Sequence, residues 1–232
     1  MTSSGAADGV VAEGIAKRFG HRWALRGLDL RARPGAVLGL LGANGSGKST
    51  LLRILGTTLG PTRGGGRIFG LDLRADRAGI RSLVGAMYHA PGVYGDLTAR
   101  ENLLFATRMW GLDAGGIDGA LDRVGLTAVA DEPAAGFSSG MTRRLALARL
   151  ILRPGRLLLL DEPYASFDAD GVDLVNEVVR ETTARDGVVL IATHNPEKAS
   201  AVVDEVVRLE NGRTADIPTA PPALTGAAGA AG

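Results

Sequence analysis

The amino-acid sequence predicts an α/β fold, a mixed sheet with flanking helices, from three observations. Short apolar runs alternate with helical patterns along the chain. A glycine-rich loop at 42–47 separates an apolar run from a helical pattern. A run of four leucines, Leu157 to Leu160, ends on the paired carboxylates Asp161 and Glu162. Because the chain has 232 residues, 45% of them hydrophobic, it can bury one sizeable core.

The apolar patterns place the strands and helices in chain order. The predicted strands are Val10 to Ile15, Leu28 to Ala32, Val37 to Leu41, Arg67 to Phe69, Val84 to Met87, Leu157 to Leu160 and Val188 to Thr193. Helices are predicted over Lys48 to Leu55 and Arg143 to Leu152. The segment Val202 to Arg213 follows, with a tight turn predicted at Asn211-Gly212.

The middle of the chain predicts a separate helical lobe, at about 90–152, within a single domain spanning 10–215. From Ala99 to Leu126 the pattern is helical. Its predicted core positions are Leu103, Leu104, Phe105, Trp110, Leu121 and Val124. Residues 1–9 are predicted to be a flexible N-terminus. Residues 216–232, rich in Pro, Ala and Gly, are predicted to be a disordered tail.

Composition narrows the possible environment and partners. The formal net charge is +1, so bulk charge favours neither nucleic acid nor an anionic membrane surface. The absence of cysteine excludes disulfides and thiolate metal sites. The N-terminal residues lack the pattern of a secretory signal, and no segment reaches the roughly 20 apolar residues needed to span a bilayer. We therefore expect a cytoplasmic protein that does not bind nucleic acid.

The glycine-rich loop has the spacing of a phosphate-binding loop. Its glycines let successive backbone N–H groups turn towards a phosphate, and the helix that follows adds its N-terminal dipole. Lys48 would reach the β- and γ-phosphates of ATP as a catalytic cation, and the Ser49 hydroxyl would bind Mg²⁺. The predicted nucleotide-binding residues of this segment are Gly42, Asn44, Gly45, Ser46, Gly47, Lys48, Ser49 and Thr50.

The carboxylates after the leucine run supply the second half of such a site. Asp161 is predicted to hold Mg²⁺ together with Ser49. Glu162, one residue further and therefore expected on the other side of the strand, is predicted to polarise the attacking water. Seen alone, the pair would be an ordinary surface Asp-Glu closing a strand. Beside a phosphate loop, it indicates ATP hydrolysis.

These motifs, together with Phe137-Ser138-Ser139-Gly140-Met141, make the chain resemble the ATPase subunit of an ABC transporter. The family turn is usually Leu-Ser-Gly-Gly-Gln, so Ser138 and Gly140 match, whereas Phe137, Ser139 and Met141 depart from it. The resemblance implies a phosphate-loop NTPase core with an N-terminal antiparallel β part and an inserted α-helical lobe. It also implies a dimer with a second ATPase subunit, identical or different, in which this turn contacts the partner's ATP.

Further positions from about 10 to 213 fit the same family. The resemblance implies adenine stacking on Phe19, a γ-phosphate contact from His194 as a third catalytic residue, and a cross-dimer contact from Asp168 in Ser166-Phe167-Asp168. Where the family normally has a glutamine that touches Mg²⁺ and water, this chain has either His89 or Ala90, depending on how the loop is aligned. This degenerate loop predicts slow or partner-dependent hydrolysis.

The stretches at 88–92 and 97–103 resemble the ATPase of the haem exporter used in cytochrome c maturation. The resemblance implies a subunit that powers a separate membrane permease from the inner face of the cell membrane. An export ATPase for another cargo stays open. So do a soluble ABC-type ATPase acting on ribosomes or DNA, and a nucleotide-binding regulator that hydrolyses little.

Overall fold

The computed structural model describes residues 8–215, which form two sheets and seven α-helices. The strands are β1 (Val10–Phe19), β2 (Arg22–Ala32), β3 (Val37–Leu41), β4 (Arg63–Ile68), β5 (Leu71–Asp72), β6 (Val84–Met87), β7 (Leu157–Asp161), β8 (Val188–Ala192), β9 (Glu205–Glu210) and β10 (Arg213–Thr214). The helices are α1 (Lys48–Leu55), α2 (Arg77–Leu83), α3 (Ala99–Trp110), α4 (Ile117–Arg123), α5 (Ser139–Leu152), α6 (Ala169–Thr183) and α7 (Pro196–Ala199). The expected flexible N-terminus and tail fall largely on residues 1–7 and 216–232, outside the described residues.

The larger sheet has the order β10-β9-β3-β8-β7-β6 and is parallel except for β10. The smaller sheet, β2-β1-β4-β5, is antiparallel and lies at the N-terminal end of the chain. The predicted mixed sheet and N-terminal antiparallel part are therefore confirmed. Helices α3, α4 and α5 lie within 90–152, where the helical lobe was expected.

The central strands are buried on both faces, which explains their continuous apolar runs. Along β7, Leu157 and Leu159 pack into one core with α1 and the antiparallel sheet. Leu158 and Leu160 pack into the other core with α5 and α6. The central sheet thus separates the phosphate-loop helix from the helical lobe, and its carboxyl edge is available to both.

Several predicted boundaries were wrong, because backbone pairing can override side-chain pattern. Strand β4 begins at Arg63 and includes Gly64, Gly65 and Gly66, residues of low strand propensity, of which Gly65 and Gly66 pair with β1. A Cβ at Gly66 would lie 2.1 Å from the Val11 carbonyl oxygen, so the close pairing requires glycine there. Phe69, predicted inside the strand, lies beyond it with a positive φ of 46°.

In the lobe, the long helical pattern divides into two helices. Helix α3 begins with a capping box between Thr98 and Glu101 and ends at Gly111, whose φ is 67°. Phe105 was predicted to be a core residue but is 43% exposed, because it lies on the outer side of α3 and meets Tyr94 edge to face.

The predicted turn at Asn211-Gly212 is confirmed. Both residues have positive φ, 51° and 78°, and they join β9 to the antiparallel edge strand β10. Strand β9 itself begins at Glu205.

Candidate functional site

The phosphate loop runs from the end of β3 into α1, and its glycines are sterically required. Gly42 and Gly47 have φ values of 150° and 113°. A Cβ on Gly42 would lie 2.3 Å from the Leu209 carbonyl oxygen, and one on Gly47 would lie 2.6 Å from Leu25 Cδ2. Gly47 also caps α1 without a side-chain hydrogen bond, so no side chain competes for the N–H groups at the helix start.

Lys48 begins α1 and is buried, with only 7% of its surface exposed. Its Nζ donates to the carbonyl oxygens of Gly42, at 2.6 Å, and Ala43, at 3.1 Å. These bonds hold the ammonium group against the loop, as the predicted contact with phosphate oxygens needs.

Asp161, the last residue of β7, lies beside the first turn of α1. The Ser49 hydroxyl donates to Asp161 Oδ1 at 3.1 Å. The carboxylate is 2% exposed, and its other oxygen, Oδ2, is buried with no hydrogen-bond partner. A buried, unpartnered carboxylate oxygen is costly unless a cation binds it. The paired hydroxyl and carboxylate oxygens fit Mg²⁺, which prefers oxygen ligands.

Glu162 was expected on the opposite side of the strand from Asp161, and this expectation was wrong. Its φ is 52°, so the backbone turns left-handed immediately after β7 and brings both carboxylates to one cleft. The Glu162 carboxylate accepts hydrogen bonds from the His194 backbone N–H at 3.0 Å and from Thr193 Oγ1 at 3.2 Å. The His194 ring nitrogen Nδ1 lies 2.8 Å from Glu162 Oε1.

An open cleft of about 680 Å³ joins these groups. Phe19 is at one end, half exposed at 50%, so it is not a core phenylalanine. The cleft is lined by Phe19, Arg22, Ala24, Asn44, Gly45, Gly47, Lys48, Ser49, Thr50, His89, Asp161, Glu162 and His194. Of the predicted phosphate-loop residues, Gly42 and Ser46 line an adjoining pocket of about 410 Å³.

The loop after β6 presents His89, and not Ala90, to the cleft. Arg22 and Ala24 also line the cleft, although sequence analysis did not select them. Arg22 follows Phe19 by three residues across the β1–β2 turn, and a Cβ on Gly45 would lie 3.8 Å from its guanidinium. The sequence signal that could have selected Arg22 is its position, because it is a cation three residues after Phe19, the predicted adenine contact. Thr193, which donates a hydrogen bond to Glu162, was missed because the apolar pattern places it in a buried strand.

The second predicted turn lies away from the cleft. Ser138 caps α5 by accepting from the Met141 N–H at 3.2 Å, and Ser139 and Gly140 form the start of that helix. Asp168 caps α6, and the Gly171 N–H, followed by the charge of Arg144, lowers the pKa of its carboxyl. None of the predicted in-trans residues Ser138, Ser139, Gly140, Met141 and Asp168 lines the cleft.

The parallel sheet, the glycine loop and the cleft at its edge define a phosphate-loop ATPase carrying a helical lobe. A family model described as ABC transporter matches residues 25–165, more than half of the chain. The chain belongs to this family, as the resemblance predicted, and is the ATP-binding and ATP-hydrolysing subunit of an ABC transporter. Subunits of this kind in export systems work with a membrane permease. Within residues 8–215, no helix combines the length and apolar character needed to cross a bilayer.

Similar proteins extend over most of the chain. The cytochrome c biogenesis ATP-binding export proteins CcmA 2 of Cupriavidus metallidurans and CcmA of Methylococcus capsulatus are each 40% identical to it. They cover 85% and 79% of this chain, and the alignments span 95% and 90% of those proteins. The Nod factor export ATP-binding protein I of Ralstonia nicotianae is 35% identical over 87% of this chain and 64% of its own length.

Solved structures match the fold. An ATP-binding subunit of an ABC transporter superposes with a TM-score of 0.81 at 25% identity, covering 90% of this chain and 89% of its own. The ADP conformation of another ATP-binding cassette gives a TM-score of 0.75 at 21% identity, with 90% of each chain covered.

Proposed function

We propose that ATP binds in the cleft and is hydrolysed there by a water molecule that Glu162 activates. The observation that carries this proposal is the fixed carboxylate of Glu162 in a cleft shared with the phosphate loop. The water oxygen attacks the γ-phosphorus, its proton passes to Glu162, and the bond to the β–γ bridging oxygen breaks to leave ADP and phosphate. Lys48 and the α1 N–H groups stabilise the negative charge that develops.

Ser49 and Asp161 would hold Mg²⁺, which would supply charge neutralisation for the phosphates. The unpartnered Asp161 Oδ2 supports this assignment. Phe19 would stack on the adenine, since its ring lines the cleft and is half exposed. His194 would contact the γ-phosphate through the ring nitrogen that does not face Glu162.

Because His89 lines the cleft, we infer that it stands where the family normally has glutamine. An imidazole is less suited than a carboxamide oxygen to bind Mg²⁺ and water together. We infer that basal hydrolysis is slow and that a partner raises it.

The Ser138 turn would contact ATP bound by a second ATPase subunit, either identical or different. Its exposure at the start of α5 and its separation from the cleft of its own chain support this arrangement. Each active site would then combine the cleft of one subunit with the turn of the other.

A groove of about 190 Å³ on the lobe would receive a cytoplasmic helix of the permease at the inner face of the membrane. Tyr94, Phe105 and Met109 line it and expose 55%, 43% and 69% of their surfaces, which is unusual for large apolar side chains. Arg149 forms its floor and donates to the Pro91 and Gly92 carbonyls, at 3.3 and 2.9 Å, in the loop that carries His89. These two hydrogen bonds therefore connect the groove to the loop that presents His89 to the cleft.

Matched variants of α3 and its end test the groove. Phe105→Ser should abolish the permease-stimulated part of ATP hydrolysis and leave the basal rate unchanged. Leu112→Ser is the control, because Leu112 is 42% exposed but does not line the groove. Equal stimulation of both variants would rule out this docking surface.

The cargo that we propose is haem, exported for cytochrome c maturation. The 40% identity to two cytochrome c biogenesis export proteins supports it, and the similarity to a Nod factor export protein keeps another cargo as the alternative. Deleting the gene should remove covalently bound haem from c-type cytochromes and spare b-type cytochromes. The wild-type gene should restore it and Glu162→Gln should not. Normal c-type cytochromes in the deletion strain would assign another cargo.

A further inference from the structure

Helix α5 contains a buried arginine, Arg143, directed at the backbone of the proposed catalytic residue. Arg143 is 8% exposed, and its Nη1 donates to the Glu162 carbonyl oxygen at 3.0 Å. Within residues 8–215, it forms no ion pair with a carboxylate within 4.0 Å. A buried guanidinium bonded to a peptide carbonyl is costly in isolation, so its place next to the cleft calls for a role.

The backbone of Glu162 needs support because its φ of 52° is unfavourable for a residue with a side chain. Two backbone hydrogen bonds already hold Glu162. Its N–H donates to the Ala192 carbonyl at 2.8 Å, and its carbonyl accepts from the Ala165 N–H at 3.2 Å. Arg143 adds a charged donor to that same carbonyl. Charge-assisted hydrogen bonds are the stronger kind, so this contact is well suited to hold the turn.

The electrostatic surroundings agree with this contact. Burial lowers the pKa of Arg143, and the nearby negative charges of Glu162 and Asp161 act in the opposite direction. Because an arginine side chain stays protonated in proteins, its positive charge remains beside both carboxylates.

We propose that Arg143 is a positioning residue for hydrolysis, which holds the left-handed turn at Glu162 and thereby directs its carboxylate into the cleft. This inference rests on the proposed role of Glu162 as the base. Ser138, which is proposed to contact the partner's ATP, caps the same helix five residues earlier. Helix α5 therefore connects the residue that contacts the partner's nucleotide to the base that acts on the nucleotide of its own chain. A shift of α5 on dimer closure would be passed directly to Glu162.

Arg143→Met removes the donor and the charge while keeping most of the side-chain volume. We expect kcat to fall roughly 10- to 100-fold, the range that one hydrogen bond to a charged group corresponds to. KM for ATP and the affinity for a non-hydrolysable ATP analogue should stay within about twofold, because the phosphate loop is untouched. Arg143→Lys, which retains the charge and a donor, should recover part of the rate.

Arg74→Met is the matched control, because Arg74 also donates to one backbone carbonyl, that of Gly64, but does not line the cleft. It should leave kcat unchanged. If Arg143→Met does not fold, Arg143→Gln tests the loss of the charge, because its shorter, neutral side chain keeps a donor. A wild-type kcat in a folded Arg143 variant without the charge would overturn the proposal.

The double variant with Glu162→Gln separates the two hypotheses. If Arg143 acts through Glu162, Arg143→Met should slow Glu162→Gln no further. A multiplicative loss would show that Arg143 acts elsewhere and would overturn the positioning role. If Glu162→Gln alone hydrolyses ATP at the wild-type rate, the proposed role of Glu162 fails. A slow Glu162→Gln beside a fast Arg143→Met contradicts only the inference about Arg143.

Discussion

The cleft and the Ser138 turn are both proposed to contact phosphate, yet they are built differently. In the cleft, buried Lys48 and one oxygen of Asp161 already have partners within the chain, and a Cβ on Gly42 or Gly47 would clash with its surroundings. At the turn, Ser138 and Ser139 are exposed, and the Ser138 cap together with bonds from Thr142 to the Ser138 carbonyl organises the backbone. The cleft is preorganised by the core of its own chain. The Ser138 turn has a formed backbone but is exposed, so within residues 8–215 it lacks an opposing surface. This difference supports the proposed active site that is divided between two chains.

The largest expected effect comes from the cleft itself. Glu162→Gln should reduce kcat by roughly 10²-fold or more, as loss of a general base does. ATP binding should persist, because the phosphate loop is intact, and size-exclusion chromatography with ATP should then show an accumulated dimer. Glu177→Gln, a change in an exposed residue on α6, is the control and should behave as wild type. Unchanged turnover in Glu162→Gln would remove Glu162 from the chemistry.

The division between chains can be tested by mixing two inactive variants. Lys48→Ala disables the cleft and Ser138→Arg blocks the turn, so each should be inactive alone. In an equal mixture, half of the dimers pair one of each and contain one intact composite site, which predicts roughly a quarter of wild-type activity. No recovery in mixtures that form dimers would contradict the shared site.

The loop carrying His89 offers a smaller, opposite effect. His89→Gln should raise basal ATP hydrolysis a few-fold, because a carboxamide can contact Mg²⁺ and water together. Ala90→Gln is the matched control and should leave the rate unchanged, since Ala90 does not line the cleft. Stimulation by Ala90→Gln alone would reverse the alignment of this loop.

The smallest expected effect tests whether the stability of the lobe can be lowered without changing ATP binding in the cleft. Thr98→Ala removes the capping box of α3, which should lower stability by about 1 kcal/mol. For a chain of this size, that corresponds to a fall in Tm of about 2–4 °C. KM for ATP should not change. A raised KM would show that the lobe and the cleft are energetically coupled in the single chain.

The parts of the fold that were predictable have local causes. The phosphate loop, the buried leucine strand and the Asn211-Gly212 turn each depend on residues adjacent in the chain. Strand β4 was not predictable in the same way, because its glycines are in a strand only through pairing with β1. The exposure of Phe105 was not predictable either, since a helical pattern does not indicate which apolar side chains another element covers.

The sequence by itself determined the chemistry: the phosphate loop, the acidic pair after β7, and the capped turn at the start of α5 are contiguous motifs whose residue types limit what they can bind. Only the tertiary structure decided which groups meet. It placed His89, and not Ala90, in the cleft, turned Glu162 to the same side as Asp161, and brought Arg143 to the Glu162 carbonyl. The reason is physical: the left-handed Glu162 and the buried Arg143 are held by contacts with elements that are distant in the chain.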